Sequence, residues 1–228
     1  MRRALDVFAE PVVLILSSIA TSIRPWMGWR GSPAAKRPAQ TIILYEFEGC
    51  PFCKIAREAL SALQLDADIR PCPKAGKRFR PEVKARGGIA MFPFMIDPNT
   101  NESMYESADI SRYLYRTYGE RRAPLRQLPL LNEFNVLLSS LSMLPRAGSG
   151  LRSVQRRKEV SQPLDFWGVE ASPMARLVRE VLCVLEIPYR LHTDRSSGKG
   201  ALLLSDPNTG LEFRSAFGAR RYLFETYA

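Results

Sequence analysis

"FEGCPFCKIAREAL", Phe47 to Leu60, joins an apolar run to a helical pattern, and its two cysteines sit three positions apart at the join. The preceding "TIILYEF" is rich in β-branched and aromatic residues and reads as a buried strand. "PFCKIAREALSALQL" sets Ile55, Ala59, Leu60 and Leu63 at helical spacing, with Pro51 at the first helical position. Cys50 is thereby expected at a helix N-terminus. Free N–H groups and the helix dipole there lower a thiol pKa from about 8.5 into the range of roughly 3.5 to 7.5. Lys54 is expected to add a stabilising cation, and Cys53, one turn on, is placed to attack a mixed disulfide at Cys50. Two readings compete with this one. A structural zinc site wants four ligands, and only Cys72, Cys183 and His192 remain to supply them. An inert core pair is the other, and a proline between the cysteines at a strand-to-helix turn argues against it.

The chain also repeats itself. Shifted by 122 positions, it matches itself without a gap from about Leu14 to Leu65: Arg24 falls on Arg146, Gly28 on Gly150, Glu48 on Glu170, Pro51 on Pro173, and Arg57-Glu58 on Arg179-Glu180. "DPNT" at Asp97 recurs at Asp206, and "RYLYRTYG" at Arg112 recurs as "RYLFETYA" at Arg221. Each copy opens with an apolar leader, "VVLILSSIATSI" or "EFNVLLSSLSML". Recurrence inside the chain favours a structural helix over a cleaved targeting segment, and 12 residues fall short of the roughly 20 that span a bilayer. The predicted organisation is a helix and linker over 1–40, a first unit over 41–122, a second helix and linker over 123–162, and a second unit over 163–228. Each unit is predicted as strand, helix, strand, helix or loop, hairpin and closing helix, an α/β plan of the thioredoxin type. "FPFMID" and "ESMYES" form the hairpin around Asp97-Pro98-Asn99-Thr100.

Hydrophobic residues make up 46% and charged residues 25% of the 228, the balance of a globular protein that needs no disulfide framework. Four cysteines fit a reducing compartment such as the cytoplasm. The net charge of +10 attracts anions, but no nucleic-acid-reading motif accompanies it, which argues against nucleic acid as a partner. The basic run Arg70, Lys74, Lys77, Arg78, Arg80, Lys84 and Arg86 reads by default as a solvated loop. Cys72 reads as a half-buried structural thiol and Cys183 as core, and His192 has no assigned role.

Cys50-Pro51-Phe52-Cys53 followed by Lys54 resembles the active site of glutaredoxins, and Thr41 to Gly119 is similar to the N-terminal, glutathione-binding domain of glutathione transferases. Phe92-Pro93-Phe94 stands where those families keep a cis-proline, and Glu106-Ser107 followed by Ala108-Asp109-Ile110 resembles their γ-glutamyl-binding pair. The resemblance implies two tandem thioredoxin-like domains. The first is a glutathione-dependent thiol–disulfide oxidoreductase acting on disulfide or glutathionylated protein substrates, with glutathione as co-substrate and no metal. Cys50 and Cys53 are the implied catalytic pair, and Phe92, Pro93, Glu106 and Ser107 the implied glutathione contacts. Cys50 is then expected to face an open groove shaped for a tripeptide. In the second copy Ser172 and Ala175 replace the cysteines, Leu202 faces Pro93, and Arg214-Ser215 faces Glu106-Ser107, so that copy is expected to be degenerate and to pair with the first. The helical domain of transferases does not follow it in this sequence, which argues against xenobiotic conjugation. The alternative is a non-catalytic glutathione-binding or scaffold protein docking at a partner or membrane surface.

Overall fold

The computed structural model describes residues 2–24, 27–28, 33–119, 129–146, 148–156, 158–193 and 203–228. The first half runs α1 (Arg2–Ser22), β1 (Ile42–Glu46), α2 (Pro51–Leu63), β2 (Ala67–Pro71), α3 (Arg80–Gly87), β3 (Phe94–Asp97), β4 (Glu102–Met104) and α4 (Ser107–Tyr118). The second runs α5 (Pro129–Leu141), β5 (Leu164–Trp167), α6 (Pro173–Val184), β6 (Tyr189–His192), β7 (Leu204–Asp206), β8 (Leu211–Phe213) and α7 (Ala216–Tyr227). A single 3-10 turn, Leu144–Arg146, follows α5.

β1 and β2 are parallel, as a strand–helix–strand crossover requires, and β3 and β4 return antiparallel as the expected hairpin. β5 to β8 repeat the same pairings. Where two tandem domains were expected, the strands form one eight-stranded sheet in the order β4-β3-β1-β2-β6-β5-β7-β8. That order reads alike from both ends. The join is antiparallel, with Ala67 opposite Leu191 and Ile69 opposite Tyr189. Asp68 therefore faces Arg190, its own equivalent under the 122-residue shift, and a local two-fold axis passes between them. Arg190 Nε donates to Asp68 Oδ1 at 3.1 Å on the axis.

The apolar core is continuous across that join, running from Leu44, Ile69 and Leu114 to Phe166, Leu182 and Leu223. Above it the halves meet through buried charges. Arg57 pairs with Glu46 and Glu48 in its own half and with Glu170 in the other; Arg179 reaches back to Glu48 at 3.0 Å and holds Glu170 at 2.9 Å. Arg24 clasps Glu58 in a two-pronged pair, and Arg146 clasps Glu180 likewise. Every one of these Arg and Glu positions except Glu46 recurs at the 122-residue shift. Gly28 and Gly150, also equivalent, both take positive φ, and Gly150 lies so close that an added Cβ would come 2.7 Å from Glu48 Cβ.

The repeated "DPNT" and "RYL" motifs have a separate task. Asp97, at the end of β3, accepts from the Asn99 backbone and side-chain amides and from the Tyr113 and Tyr118 hydroxyls. Asp206 accepts the same four bonds from Asn208, Tyr222 and Tyr227. Each clamp pins a hairpin turn to its closing helix. The leaders are helices, and each packs across the molecule: α1 against α6, α5 against α2.

Candidate functional site

Because β3 is antiparallel to both β1 and β4, the end of β1, the start of β3 and the end of β4 lie at one end of the sheet. Cys50, Pro93 and Ser107 occupy those three places, each beside a strand or helix terminus. Cys50 is the N-cap of α2, with extended φ and ψ, and its Sγ accepts the Cys53 N–H at 3.3 Å. A hydrogen bond from the Cys53 thiol lowers the Cys50 pKa further than burial raises it, and the Cys53 and Phe52 amides assist. Burial, with the bond to Cys50, raises Cys53 well above an ordinary thiol. The two thiols are thus shifted in opposite directions, Cys50 down and Cys53 up.

The Phe92–Pro93 peptide is cis. The Phe92 ring meets Phe47 edge-on at 6.0 Å, and Phe47 O accepts the Cys50 N–H at 3.1 Å, so the proline turn adjoins the cysteine turn. Arg80, read in the sequence as part of a solvated run, lies over the Phe92 ring at 4.7 Å with Nε bonded to Pro73 O. The other arginines of that run are paired: Arg70 and Arg86 with Glu82, Arg78 with Glu159. Glu106 is exposed, with φ of 63°, and Ser107 behind it is buried as the first residue of α4. A left-handed conformation at a non-glycine residue is a strained arrangement of the kind found at binding sites.

Two expectations are corrected. Lys54 does not serve Cys50: its Nζ donates to Ser142 Oγ at 3.0 Å, beyond α5, and burial, with Arg176 close by, pushes its pKa down to about 7. The helix turn carries position 54 away from the cap. Cys50 also does not face an open groove, since it is only 4% exposed. The segment after α5 lies on its shoulder, with Leu151 Cδ1 3.3 Å from where a Cβ on Gly49 would stand, and Lys74 N bonded to Leu151 O. A cavity of about 110 Å³ lies between Glu48, Gly49 and this segment. No sequence signal links Leu151 to Gly49, which lies in the other half.

Cys72 is fully buried rather than half-buried, and burial raises its pKa. Cys183 is core, with Sγ bonded to Gly150 O. Glu46, at the end of β1, is pushed up to about 7 by burial against the pull of Arg57. Nothing in the sequence marked it, because an acid ending a strand is ordinarily solvated. His192 has a role the sequence did not suggest: its two ring nitrogens bond Asp66 and Asp165 at 2.8 Å each, across the two halves. Among the described residues no group of three or more His, Cys, Asp or Glu is arranged to hold a metal ion.

At the equivalent place in the second half, Ser172 caps α6 and accepts the Ala175 N–H at 3.2 Å. Ser215 caps α7, preceded by Arg214; Leu202 lies outside the described residues. With this geometry in hand, residues 44–122 match the family described as glutathione S-transferase, N-terminal domain. The match covers about a third of the chain and supports a thioredoxin-like domain in that segment, similar to the glutathione transferase N-terminal type. Against curated proteins and against solved structures, the chain has no match.

Proposed function

We propose that the protein is a glutathione-dependent thiol–disulfide oxidoreductase of the glutaredoxin type, built from two tandem thioredoxin-like units of which only the first is active. One observation carries this reading: Cys50 Sγ caps α2, takes the Cys53 N–H and has a lowered pKa, beside a cis Phe92–Pro93 peptide. The Cys50 thiolate attacks the glutathione sulfur of a glutathionylated protein. A Cys50–glutathione disulfide forms as the protein thiolate leaves and takes up a proton. A second glutathione thiolate then attacks that sulfur, releasing oxidised glutathione and restoring Cys50. Where the substrate is a protein disulfide, Cys53 displaces the partner and leaves a Cys50–Cys53 disulfide for glutathione to reduce. Phe92, Pro93, Glu106 and Ser107 are the glutathione contacts in this reading, with Glu106 taking the α-amino group and the start of α4 a carboxylate.

The low exposure of Cys50 favours a second reading, a non-catalytic glutathione-binding or scaffold protein. Mass spectrometry after incubation with oxidised glutathione separates the two. The oxidoreductase reading expects one glutathione adduct on Cys53→Ser protein, mapped to Cys50, and none on Cys50→Ser. Absence of an adduct from the folded Cys53→Ser protein, with adduct formation only in denaturant, makes the protein a scaffold.

A further inference from the structure

α1 and α5 are amphipathic in the inverted sense. Polar residues are turned inward: Ser17 and Thr21 of α1, Asn135 and Ser139 of α5, and Ser142 just after α5 are buried. Ser17 Oγ donates to Pro173 O at the start of α6, and Ser139 Oγ donates to Pro51 O at the start of α2. Arg24, just after α1, donates to the backbone and side-chain oxygens of Asn135 in α5 at 2.8 Å each, which ties the end of α1 to α5. Their apolar residues are turned out: Val12, Ile15, Ile19, Phe134, Leu137 and Leu141 are exposed, Ile15 by 58% and Phe134 by 60%. A surface helix of a freely soluble protein shows the opposite arrangement, and exposed apolar surface of this extent marks an interaction site.

We propose that this two-helix face docks on an anionic lipid bilayer, lying in the interface without crossing it. No helix among the described residues is long and apolar enough to cross. Charge selects the occupant. The chain carries +10, and among the described residues seven buried acids stand against five buried bases, so the positive excess lies at the surface. An anionic headgroup layer complements that surface, whereas a second copy of the chain brings the same positive charge to the contact. An amphipathic helix in this position buries its apolar face into the boundary between headgroups and acyl chains. On α1, Glu10 is neutralised by Arg221 at 3.6 Å; Glu133 is the exposed acid of α5. Docking is independent of the thiol chemistry, since the bond from α5 to Pro51 lies on the helix face turned away from the bilayer.

Co-sedimentation with vesicles tests this on the full chain. Wild type is expected to pellet with vesicles of equimolar phosphatidylcholine and phosphatidylglycerol about tenfold more than with phosphatidylcholine alone, and less at high salt. The triple variant Ile15→Asn, Phe134→Asn, Leu137→Asn, checked for unchanged circular dichroism, is expected to stay in the supernatant. A second measurement needs no loss of binding. Phe134→Cys in a Cys50→Ser background, labelled with an environment-sensitive dye, is expected to shift to the blue on anionic vesicles only. Equal pelleting of wild type and triple variant, or no pelleting and no dye shift, overturns the proposal. So does a lipid-free dimer that the triple variant makes monomeric, which assigns the face to a second copy.

Discussion

The starts of α2 and α6 are the same piece of architecture with different atoms in it. Both follow a strand, both carry proline at the first helical position, and both are capped by a side chain accepting the N–H three residues on: Cys50 from Cys53, Ser172 from Ala175. The comparison separates scaffold from chemistry. A helix N-terminus needs an acceptor at its cap, and oxygen serves as well as sulfur. The fold therefore retains the cap where the reactive pair is absent. What differs is the capping atom, sulfur against oxygen, and the residue ahead of the closing helix, with exposed Glu106 before α4 and Arg214 before α7.

The comparison is most severely tested at the cap itself. Cys50→Ser makes the first half chemically like the second and is expected to lower turnover of a glutathionylated peptide by at least about 1000-fold, as loss of a nucleophile does. Ser172→Cys with Ala175→Cys is expected to add no turnover. Next come the charges joining the halves. Glu170→Gln leaves Arg57 and Arg179 under-neutralised and is expected to cost about 3–5 kcal/mol in urea unfolding, with Glu48→Gln close behind. Unequal effects would show that one half depends on the joint more than the other. Asp97→Asn and Asp206→Asn each weaken one tyrosine clamp, with an expected loss of about 1–3 kcal/mol apiece and additivity in the double variant. Glu106→Arg copies the second half's residue and is expected to weaken glutathione binding about tenfold by calorimetry.

The smallest effect is that of pH on the His192 bridge. Burial works to lower the His192 pKa, but its bonds to Asp66 and Asp165 outweigh this and raise it. A group with a raised folded pKa contributes its full stability below the unfolded value of about 6.5 and loses it as pH climbs through the folded value. Buried Glu46 and Lys54 titrate near the same pH in both proteins, so the urea midpoint of wild type is expected to fall by more across that window than that of His192→Gln.

Much of this was legible in the residues. Proline and cysteine at the end of an apolar β-branched run fixed where α2 starts, and the "DPNT" turn fixed the hairpin. The 122-residue shift foretold a symmetry but not its geometry. Edge pairing of β2 with β6 is a tertiary choice that strand patterns do not encode. The recurring Arg-Glu positions marked the repeat, yet charged side chains are read as surface by default, so their burial between the halves was invisible. Lys54 and Leu151 failed for a shared reason. Nearness in sequence does not give direction, and remoteness in sequence does not prevent contact.

The axis through Asp68 and Arg190 has a consequence for what the halves can do apart. On a two-fold, a residue meets its own copy. A homodimer of first halves would set aspartate against aspartate, and one of second halves arginine against arginine, each a like-charge opposition at the centre of the seam. Covalent fusion lets the position hold opposite signs. Separated and mixed, the two fragments are complementary to each other and self-repelling at that seam, so the linkage writes a heterodimer's specificity into a single polypeptide.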